Sequence, residues 1–222
     1  MFGFIFINKP LKMTSHDVVD RLRKITKIKK IGHAGTLDPL ARGVLIVAIG
    51  REATRDINKF VKMNKEYEAD LHLGENTDTY DSEGDVVSSC TIMPSEEDVK
   101  KTLKKFVGEQ KQLPPMFSAK KVNGQRLYKL ARAGVEVERV SSNIKIHNID
   151  FLSYDWPILK IQVKCSSGTY IRSLAFDIGQ RLGCGAHLAG LVRTKVGEIS
   201  LSDCVELGKL DEKNWGEYLV LL

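Results

Sequence analysis

A histidine and an aspartate lie within the glycine-rich run 32–39, GHAGTLDP. Gly32 and Gly35 allow backbone angles or close approaches that a side chain would forbid, and Pro39 restricts the chain directly after Asp38. Such a turn holds a carboxylate in one place, as a nucleophile or a general base requires. Aspartate also commonly caps turns without any chemical role. These residues alone leave both interpretations open.

The elements that would position this carboxylate can be predicted from the surrounding sequence. The apolar run 43–50, GVLIVAIG, has the length of a buried strand and directly follows the turn. Alternating or apolar patterns predict further strands over 67–73, 144–154 and 158–165. The carboxylate is therefore expected on a loop anchored to a core strand.

Three segments have apolar residues at helical spacing. Thr14 or Ser15 can cap the first helix, Ser95 precedes three acids at the start of the second, and Gly183 follows the third as a terminator. Helices interspersed with mostly neighbouring strands predict an α+β fold with a mixed, mainly antiparallel central sheet flanked by helices and loops.

Composition limits the class of protein. The chain has 222 residues, of which 42% are hydrophobic and 28% charged, as is ordinary for a folded protein. The apolar run 2–7 is too short for a membrane span or a signal-peptide core, so we expect no membrane association and a cytoplasmic location. Four cysteines without a Cys-x-x-Cys pair favour reduced thiols over disulfides or a metal site.

The chain has a net charge of +6, and its charged residues are unevenly distributed along the sequence. Residues 21–30 contain six basic side chains and no acid, and residues 100–132 contain ten basic side chains and one acid. Between these blocks, residues 66–98 contain eleven acids and no Lys or Arg. Charged runs often form solvated helix faces, but two basic blocks that flank a candidate site favour a groove for a phosphate backbone.

Two segments are predicted to be insertions outside the core. Residues 76–85 form an acidic, turn-rich loop that superficially suggests calcium binding. Aligning Gly84 with the required glycine places Thr79 first and Cys90 last, so the calcium-ligand pattern fails. Residues 113–137 are predicted to form a loop, a short helix and a further strand.

The run 32–39 resembles the catalytic motif of the TruB family of tRNA pseudouridine synthases. Other family signatures follow in family order, so that the resemblance covers roughly residues 3 to 200. They are the segments 3–10 (GFIFINKP), 65–67 (KEY), 114–124 (PPMFSAKKVNG), 168–172 (GTYIR) and 183–188 (GCGAHL).

This resemblance implies an enzyme that isomerises uridine to pseudouridine. The N1 glycosidic bond is broken, the uracil rotates and C5 is joined to the sugar, with no net redox change and no cofactor. The nucleotide must first be flipped out of its stack. The resemblance makes Asp38 the catalytic residue, acting either as a nucleophile at C1′ or as a base that removes the C2′ proton, and the sequence does not separate these routes.

Other roles follow from the same resemblance. Arg172 is expected to pair with Asp38 through a forked contact that favours the ionised carboxylate, although a surface arginine is the ordinary alternative. Tyr67 is expected to stack on the flipped uracil, although a strand tyrosine is more often a core residue. His33 could act as a base or insert into the RNA stack, and we favour stacking. Tyr170 and Leu191 are expected to complete the uracil pocket, and Lys9, Lys121 and Arg193 to contact phosphates.

The resemblance also predicts the domain organisation. Residues 1–200 would form one catalytic domain, with 113–137 as a thumb-like segment that closes over RNA. Residues 201–222 would be a short tail without a separate domain, too small for the PUA-like RNA-binding domain of many relatives. At Val192 the family usually has an arginine, which puts one contact to RNA in doubt.

The sequence therefore predicts a stand-alone synthase that modifies uridine 55 in the T stem-loop of tRNA and needs no obligate protein partner. A guide-RNA-dependent synthase of the dyskerin type is the first alternative. A catalytically idle protein that binds or folds tRNA is the second. Retention of Asp38, Tyr67 and Arg172 favours an active enzyme over the second alternative.

Overall fold

The computed structural model describes residues 2–118, 120–122, 124–132, 135 and 137–221. The side chains of 121, 122, 126, 128, 129 and 132 lie outside this description. The chain divides into two compact units. The first contains the residues up to Tyr67 and from Leu191 onward, and the second contains Glu68–Gly190.

Strands and helices alternate irregularly along the chain. The helices are α1 (Ser15–Thr26), α2 (Gly50–Asp56), α3 (Asn58–Val61), α4 (Glu96–Lys104), α5 (Leu127–Arg132) and α6 (Ile171–Leu182). Short 3-10 helices cover Leu201–Asp203, Leu207–Lys209 and Trp215–Tyr218. The strands are β1 (Gly3–Lys9), β2 (Ile31–Ala34), β3 (Ala41–Ile49), β4 (Lys65–Leu73), β5 (Glu75–Thr77), β6 (Val86–Ser89), β7 (Gly108–Gln112), β8 (Lys121–Val122), β9 (Gln125–Arg126), β10 (Ser142–Asp155), β11 (Ile158–Cys165), β12 (Ala186–Val196), β13 (Ile199–Ser200) and β14 (Val205–Glu206).

The sheet of the first unit has the order β14-β1-β3-β12, and β2 also pairs with β3. Strands β1 and β2 run antiparallel to β3, whereas β12 is parallel to β3 and β14 is parallel to β1. Helix α1 packs its apolar stripe of Val18, Val19 and Leu22 into the core beside β1 and β3. The segment after residue 200 joins the same core through Leu207 and Leu210.

The second unit contains the strand order β4-β11-β10-β7. Strand β10 runs antiparallel to both β11 and β7. Two small antiparallel pairs, β5 with β6 and β8 with β9, stand apart from this order. The predicted α+β fold with a mixed, mainly antiparallel sheet is confirmed.

The predicted helix boundaries have local causes. The Thr14 hydroxyl accepts the backbone N–H of Asp17 at 3.0 Å, and the Asp17 carboxylate accepts the backbone N–H of Thr14 at 2.7 Å, which caps α1. Helix α4 begins after Ser95, whose hydroxyl accepts the N–H of Asp98 at 3.1 Å. Helix α6 ends at Gly183, which has φ 76 in the left-handed region.

The prediction that residues 76–85 form an insertion outside the core is wrong. Strand β5 lies in this segment, and Thr77 and Asp81 are only 2% and 3% exposed. The Thr77 hydroxyl donates to the Asp81 carbonyl at 2.7 Å, and Asp81 forms a bridge to Leu188. The loop is thus a structural part of the second unit.

The segment 113–137 contains α5 and the β8–β9 pair, in which Lys121 is opposite Arg126. A helix is therefore present as predicted, preceded by a hairpin. No helix in the described part of the chain has both the length and the apolar character needed to cross a membrane.

Candidate active site

The aspartate turn of the first unit connects β2 to β3. Gly35 has φ 77, a conformation that favours glycine. The backbone N–H of Ala41 donates to the Asp38 carbonyl at 3.0 Å and closes the turn at the start of β3. Asp38 is half-buried at the end of this closed turn.

Helix α1 fixes the turn from a second direction. The backbone N–H of Leu37 donates to the Ser15 hydroxyl at 2.8 Å, and that hydroxyl donates to the Leu37 carbonyl at 3.1 Å. Ser15 is 1% exposed, so both bonds are shielded from water. Directly after Asp38, the Pro39 carbonyl accepts the N–H of Lys12 at 2.9 Å. The backbone is therefore held on both sides of the carboxylate, as the sequence predicts.

Arg193 fixes the turn from a third direction. Its Nε donates to the Val44 carbonyl at 2.7 Å, and its Nη2 donates to the Gly35 carbonyl at 2.9 Å. A Cβ atom at Gly35 would lie 3.3 Å from Nη1 of this guanidinium, and a Cβ atom at Gly43 would lie 2.3 Å from the Arg193 carbonyl oxygen. Both glycines thus permit the close approach of β12.

Burial changes the interpretation of two predicted phosphate contacts. Arg193 is 1% exposed and Lys9 is 0% exposed. The Lys9 ammonium donates to the carbonyls of Pro10 and Met13, at 2.8 Å and 2.5 Å. A side chain without exposed surface does not reach an RNA backbone, so the predicted phosphate contacts of these two residues are not supported. They instead hold backbone next to the aspartate turn.

His33 lies in strand β2, opposite Val47 of β3, and not on the turn as the sequence suggested. Its Nδ1 atom is buried and has no hydrogen-bond partner among the described residues. Burial lowers the pKa of His33, and the positive charges of Arg193 and His16 lower it further. The imidazole is therefore neutral at neutral pH.

Two further predicted residues belong to the first unit. Tyr67 is 8% exposed in β4, two residues after Lys65, whose ammonium donates to the carbonyls of Val61 and Met63 at 2.6 Å and 2.5 Å. Leu191 is half-buried in β12 and pairs with Ala41, the residue at which the aspartate turn ends. Leu191 is thus placed beside that turn by strand register.

The second unit holds Arg172 in a buried ion pair. Its Nη1 lies 3.1 Å from Oδ2 of Asp81, and the two side chains are 7% and 4% exposed. Nη1 also donates to the Thr79 carbonyl at 3.3 Å, and Nη2 donates to the Phe117 carbonyl at 2.7 Å. The guanidinium is therefore oriented by a carboxylate and by two backbone segments.

Asp81 is itself fixed by its neighbours. Its Oδ1 accepts the Thr79 hydroxyl at 2.7 Å and the backbone N–H of Glu83 at 3.1 Å. Because Oδ2 accepts a hydrogen bond from Arg172, both carboxylate oxygens of Asp81 have donors. The sequence gives no direct signal for this residue, because an aspartate in an acidic turn is ordinary.

Tyr170 is positioned through its backbone. The Gln112 side chain accepts the Tyr170 N–H at 2.8 Å and donates to the Tyr170 carbonyl at 3.0 Å. The Ser173 hydroxyl donates to the Leu113 carbonyl at 2.8 Å. The start of α6, which carries Tyr170 and Arg172, is thus bound to the end of β7 and the residue after it.

The structure distributes the predicted site residues between the units. Asp38, His33, Tyr67 and Leu191 belong to the first unit, as do the buried Lys9 and Arg193, whereas Tyr170 and Arg172 belong to the second. The side chain of Lys121 lies outside the described residues. The pairing of Asp38 with Arg172 stays a prediction. The supporting residues Ser15, Asp81 and Gln112 were not found by sequence reasoning.

Comparison with known proteins identifies the family. Residues 23–171 match the model of the TruB family pseudouridylate synthase N-terminal domain, and residues 172–219 match that of the tRNA pseudouridylate synthase B C-terminal domain. The tRNA pseudouridine synthase B of Protochlamydia amoebophila is 50% identical over 203 residues, which are 91% of this chain and 77% of that protein. The protein of the same name from Clostridium acetobutylicum is 47% identical over 99% of this chain and 76% of its own length.

Two solved structures contain chains with a fold similar to that of this protein. A Cbf5-Nop10-Gar1 complex contains a chain with TM-score 0.72 and 34% identity, over 93% of this chain and 53% of that one. An H/ACA RNP bound to a substrate RNA containing 2'-deoxyuridine contains a chain with TM-score 0.71 and 30% identity, over 97% of this chain and 55% of that one. This chain therefore spans about half the length of these two solved chains. The chain belongs to the TruB family of pseudouridylate synthases and is an RNA pseudouridine synthase.

Proposed function

We propose that this enzyme converts uridine 55 in the T stem-loop of tRNA to pseudouridine. The observation that carries the proposal is the 50% and 47% identity to two proteins named tRNA pseudouridine synthase B, over 91% and 99% of this chain. The anchored aspartate turn supports it, because catalysis needs a reactive group held in a productive geometry.

Asp38 is the catalytic residue in this proposal. As a nucleophile it attacks C1′ while the N1 glycosidic bond breaks, and the freed uracil rotates and forms a bond from C5 to C1′ as the carboxylate leaves. As a base it removes the C2′ proton while the same bond breaks, which gives a glycal. C5 then bonds to C1′ of the glycal as the protonated carboxyl group returns the proton to C2′. In both routes the C5 proton is lost at the end. The contacts of Ser15 and Arg193 to the turn serve both routes equally.

The other predicted residues complete the proposal. Tyr67 stacks on the flipped uracil, Tyr170 and Leu191 line the uracil pocket, and Arg172 favours the ionised form of Asp38. His33 stacks in the RNA where the extruded base was. Its lowered pKa supports this role, since a neutral imidazole is desolvated more easily than a charged one.

Lys121 and the exposed basic residues of the block 21–30 contact phosphates in this proposal. Arg21, Lys24, Lys29 and Lys30 are exposed and belong to α1 or to the segment after it. Their charges and exposure suit non-specific attraction to a tRNA stem.

The enzyme is proposed to act in the cytoplasm without guide RNA or an obligate protein partner. Guide-RNA dependence is the alternative, because two similar solved chains come from a Cbf5-Nop10-Gar1 complex and an H/ACA RNP. The identity of this chain to those structures is 34% and 30%, which is lower than its 50% identity to the tRNA pseudouridine synthase B of Protochlamydia amoebophila. The closer relative supports the stand-alone activity.

The test is pseudouridine mapping after the purified protein is incubated with unmodified tRNA transcript alone. We expect modification at position 55 and none in a transcript with cytidine at that position. Asp38→Asn should abolish the product and leave tRNA affinity nearly unchanged, because the change removes the charge and retains the shape. Asp56→Asn is the matched control, since Asp56 is exposed at the end of α2.

Three outcomes would contradict the proposal. Full turnover by the Asp38→Asn variant would refute the catalytic role of this residue. Product at another uridine would refute the assignment to position 55. Product formation only after addition of guide RNA and partner proteins would favour the alternative.

A further inference from the structure

Two of the five histidines of the chain lie together in the second unit, and neither has a role in the proposed reaction. His72 of β4 and His187 of β12 have stacked rings with centroids 5.0 Å apart and planes inclined by 16°. Glu75 of β5 completes the group, and the potential ligand atoms of the three residues lie within 4.8 Å of one another. Three strands thus contribute one metal-binding side chain each.

The hydrogen bond of His187 determines which of its nitrogens has a free lone pair. Its Nδ1 lies 3.3 Å from the Glu75 carbonyl oxygen, which can only accept. The proton is therefore on Nδ1, and the lone pair is on Nε2. Metal-binding histidines commonly use one ring nitrogen in this way, to donate to a carbonyl while the other binds the ion. His187 is 6% exposed, so its ring is held by packing as well.

His72 contributes an independent observation. Its Nδ1 is buried and has no hydrogen-bond partner among the described residues. The nearest carboxylate oxygen, Oε2 of Glu75, lies 4.0 Å away, which is too long for a hydrogen bond. Leaving a buried polar atom without a partner costs free energy. A ligand that accepts the lone pair of this nitrogen would remove that cost.

We propose that His72, Glu75 and His187 form a binding site for a divalent transition-metal ion of the zinc type. Two imidazole nitrogens and one carboxylate oxygen are a ligand set that suits Zn²⁺, with water in the fourth position. Ligand atoms around tetrahedral Zn²⁺ are about 3.4 Å apart, as follows from bond lengths of roughly 2.1 Å. The side chains of His72 and Glu75 are 29% and 39% exposed, so they have space to close on the buried His187.

The position of the site gives it a structural consequence. Residues next to His187 are bonded to the loop that follows Glu75, since the Leu188 N–H donates to the Tyr80 carbonyl at 3.0 Å and the Ser82 N–H donates to the Leu188 carbonyl at 3.0 Å. Asp81 lies between these two contacts. An ion bound to β4, β5 and β12 would therefore stabilise the loop that presents Asp81.

The test is Zn²⁺ titration of the full chain after chelator treatment and removal of the chelator, followed by calorimetry and thermal unfolding. We expect one equivalent of Zn²⁺ to bind and to raise Tm. Visible absorption bands of bound Co²⁺ would report the coordination geometry. His72→Asn should weaken Zn²⁺ binding at least tenfold and remove the rise in Tm. Glu75→Gln should weaken binding less, because an amide oxygen remains.

Two control variants make the result specific. His147→Asn removes an exposed histidine of β10, and Cys90→Ser removes a half-buried thiol that could bind zinc by itself. Both should retain wild-type affinity. Thermal unfolding without metal shows whether each variant is folded. Equal Zn²⁺ binding by the wild type and His72→Asn, or loss of binding in Cys90→Ser, would overturn the proposal.

Discussion

The two units position their reactive side chains in different ways. In the first unit, Ser15, Lys12 and Arg193 hold the backbone of the turn that carries Asp38. In the second unit, the Arg172 guanidinium itself is bound, by Asp81 in a pair that is 7% and 4% exposed. A backbone anchor fixes the position of a turn, whereas a side-chain anchor fixes both the charge and the orientation of a cation. Loss of an anchor should therefore have different consequences in the two units.

The largest effect is expected for Asp81→Ala. The change breaks the buried ion pair between Asp81 and Arg172, and breaking such a pair costs about 3–5 kcal/mol in comparable cases. We expect a large fall in the free energy of unfolding, measured by urea denaturation, and a loss of pseudouridine formation at temperatures where the variant is folded.

A second variant, Asp81→Asn, removes the negative charge at position 81 but keeps the shape of the side chain. Asp81→Asn retains an oxygen that can accept from Arg172, so it should be less destabilising than Asp81→Ala. Equal free energies of unfolding for the wild type and both variants would show that the ion pair does not stabilise the second unit. The proposed difference between the two units would then be wrong.

Arg193→Met should have the next largest effect. Methionine fills a similar volume but donates no hydrogen bond, so the carbonyls of Gly35 and Val44 lose a charged donor, at a cost of about 1–3 kcal/mol. Because the Asp38 carboxylate remains, we expect kcat for pseudouridine formation to fall more than tRNA affinity. A loss of affinity alone, with kcat retained, would instead indicate a phosphate contact. Arg51→Met, at an exposed arginine of α2, is the control.

Asp177→Asn should stabilise the protein by about 1–2 kcal/mol at pH 7.5. Burial raises the pKa of Asp177 from 3.8 to about 6, so the folded state holds the proton more tightly than the unfolded state. The wild type thus loses stability as the pH rises from 3.8 through about 6, and the variant does not. The difference in Tm between the variant and the wild type should be smaller at pH 4.5 than at pH 7.5. A constant difference across this range would contradict a desolvated Asp177 carboxylate in α6.

Ser15→Ala should have the smallest effect, about 1 kcal/mol, because it removes one hydroxyl from the two bonds to Leu37. The informative measurement for this variant is kcat. We expect a fall in kcat that is larger than the small loss of stability suggests, since the residue next to Leu37 is Asp38. Unchanged kcat would show that the other two anchors are sufficient. Ser202→Ala, at an exposed serine, is the control.

Features with local causes were predicted correctly from the sequence. Thr14 caps α1 and Gly183 ends α6, because a cap depends on residues only a few positions away. The strand over 67–73 was predicted from the alternation of apolar and polar residues. The turn at Asp38 was predicted from its glycines and proline.

The features that were missed depend on partners far away in the sequence. Asp81 and Arg172 are 91 positions apart, and nothing in either neighbourhood identifies the other. The family resemblance predicted that Lys9 and Arg193 contact phosphates, but both are buried against carbonyl oxygens. Only the tertiary structure shows which cations are available to a nucleic acid.

The anchor of Arg193 on Gly35 also determines when the aspartate turn can be completed during synthesis. The two residues are 158 positions apart, and β12 pairs with β3 in parallel at Leu191 and Ala41. Contacts of such long sequence separation form late, because the entropy of closing the intervening loop must first be overcome. Asp38 is therefore synthesised before Arg193, and its turn acquires all its anchors only after β12 has been made.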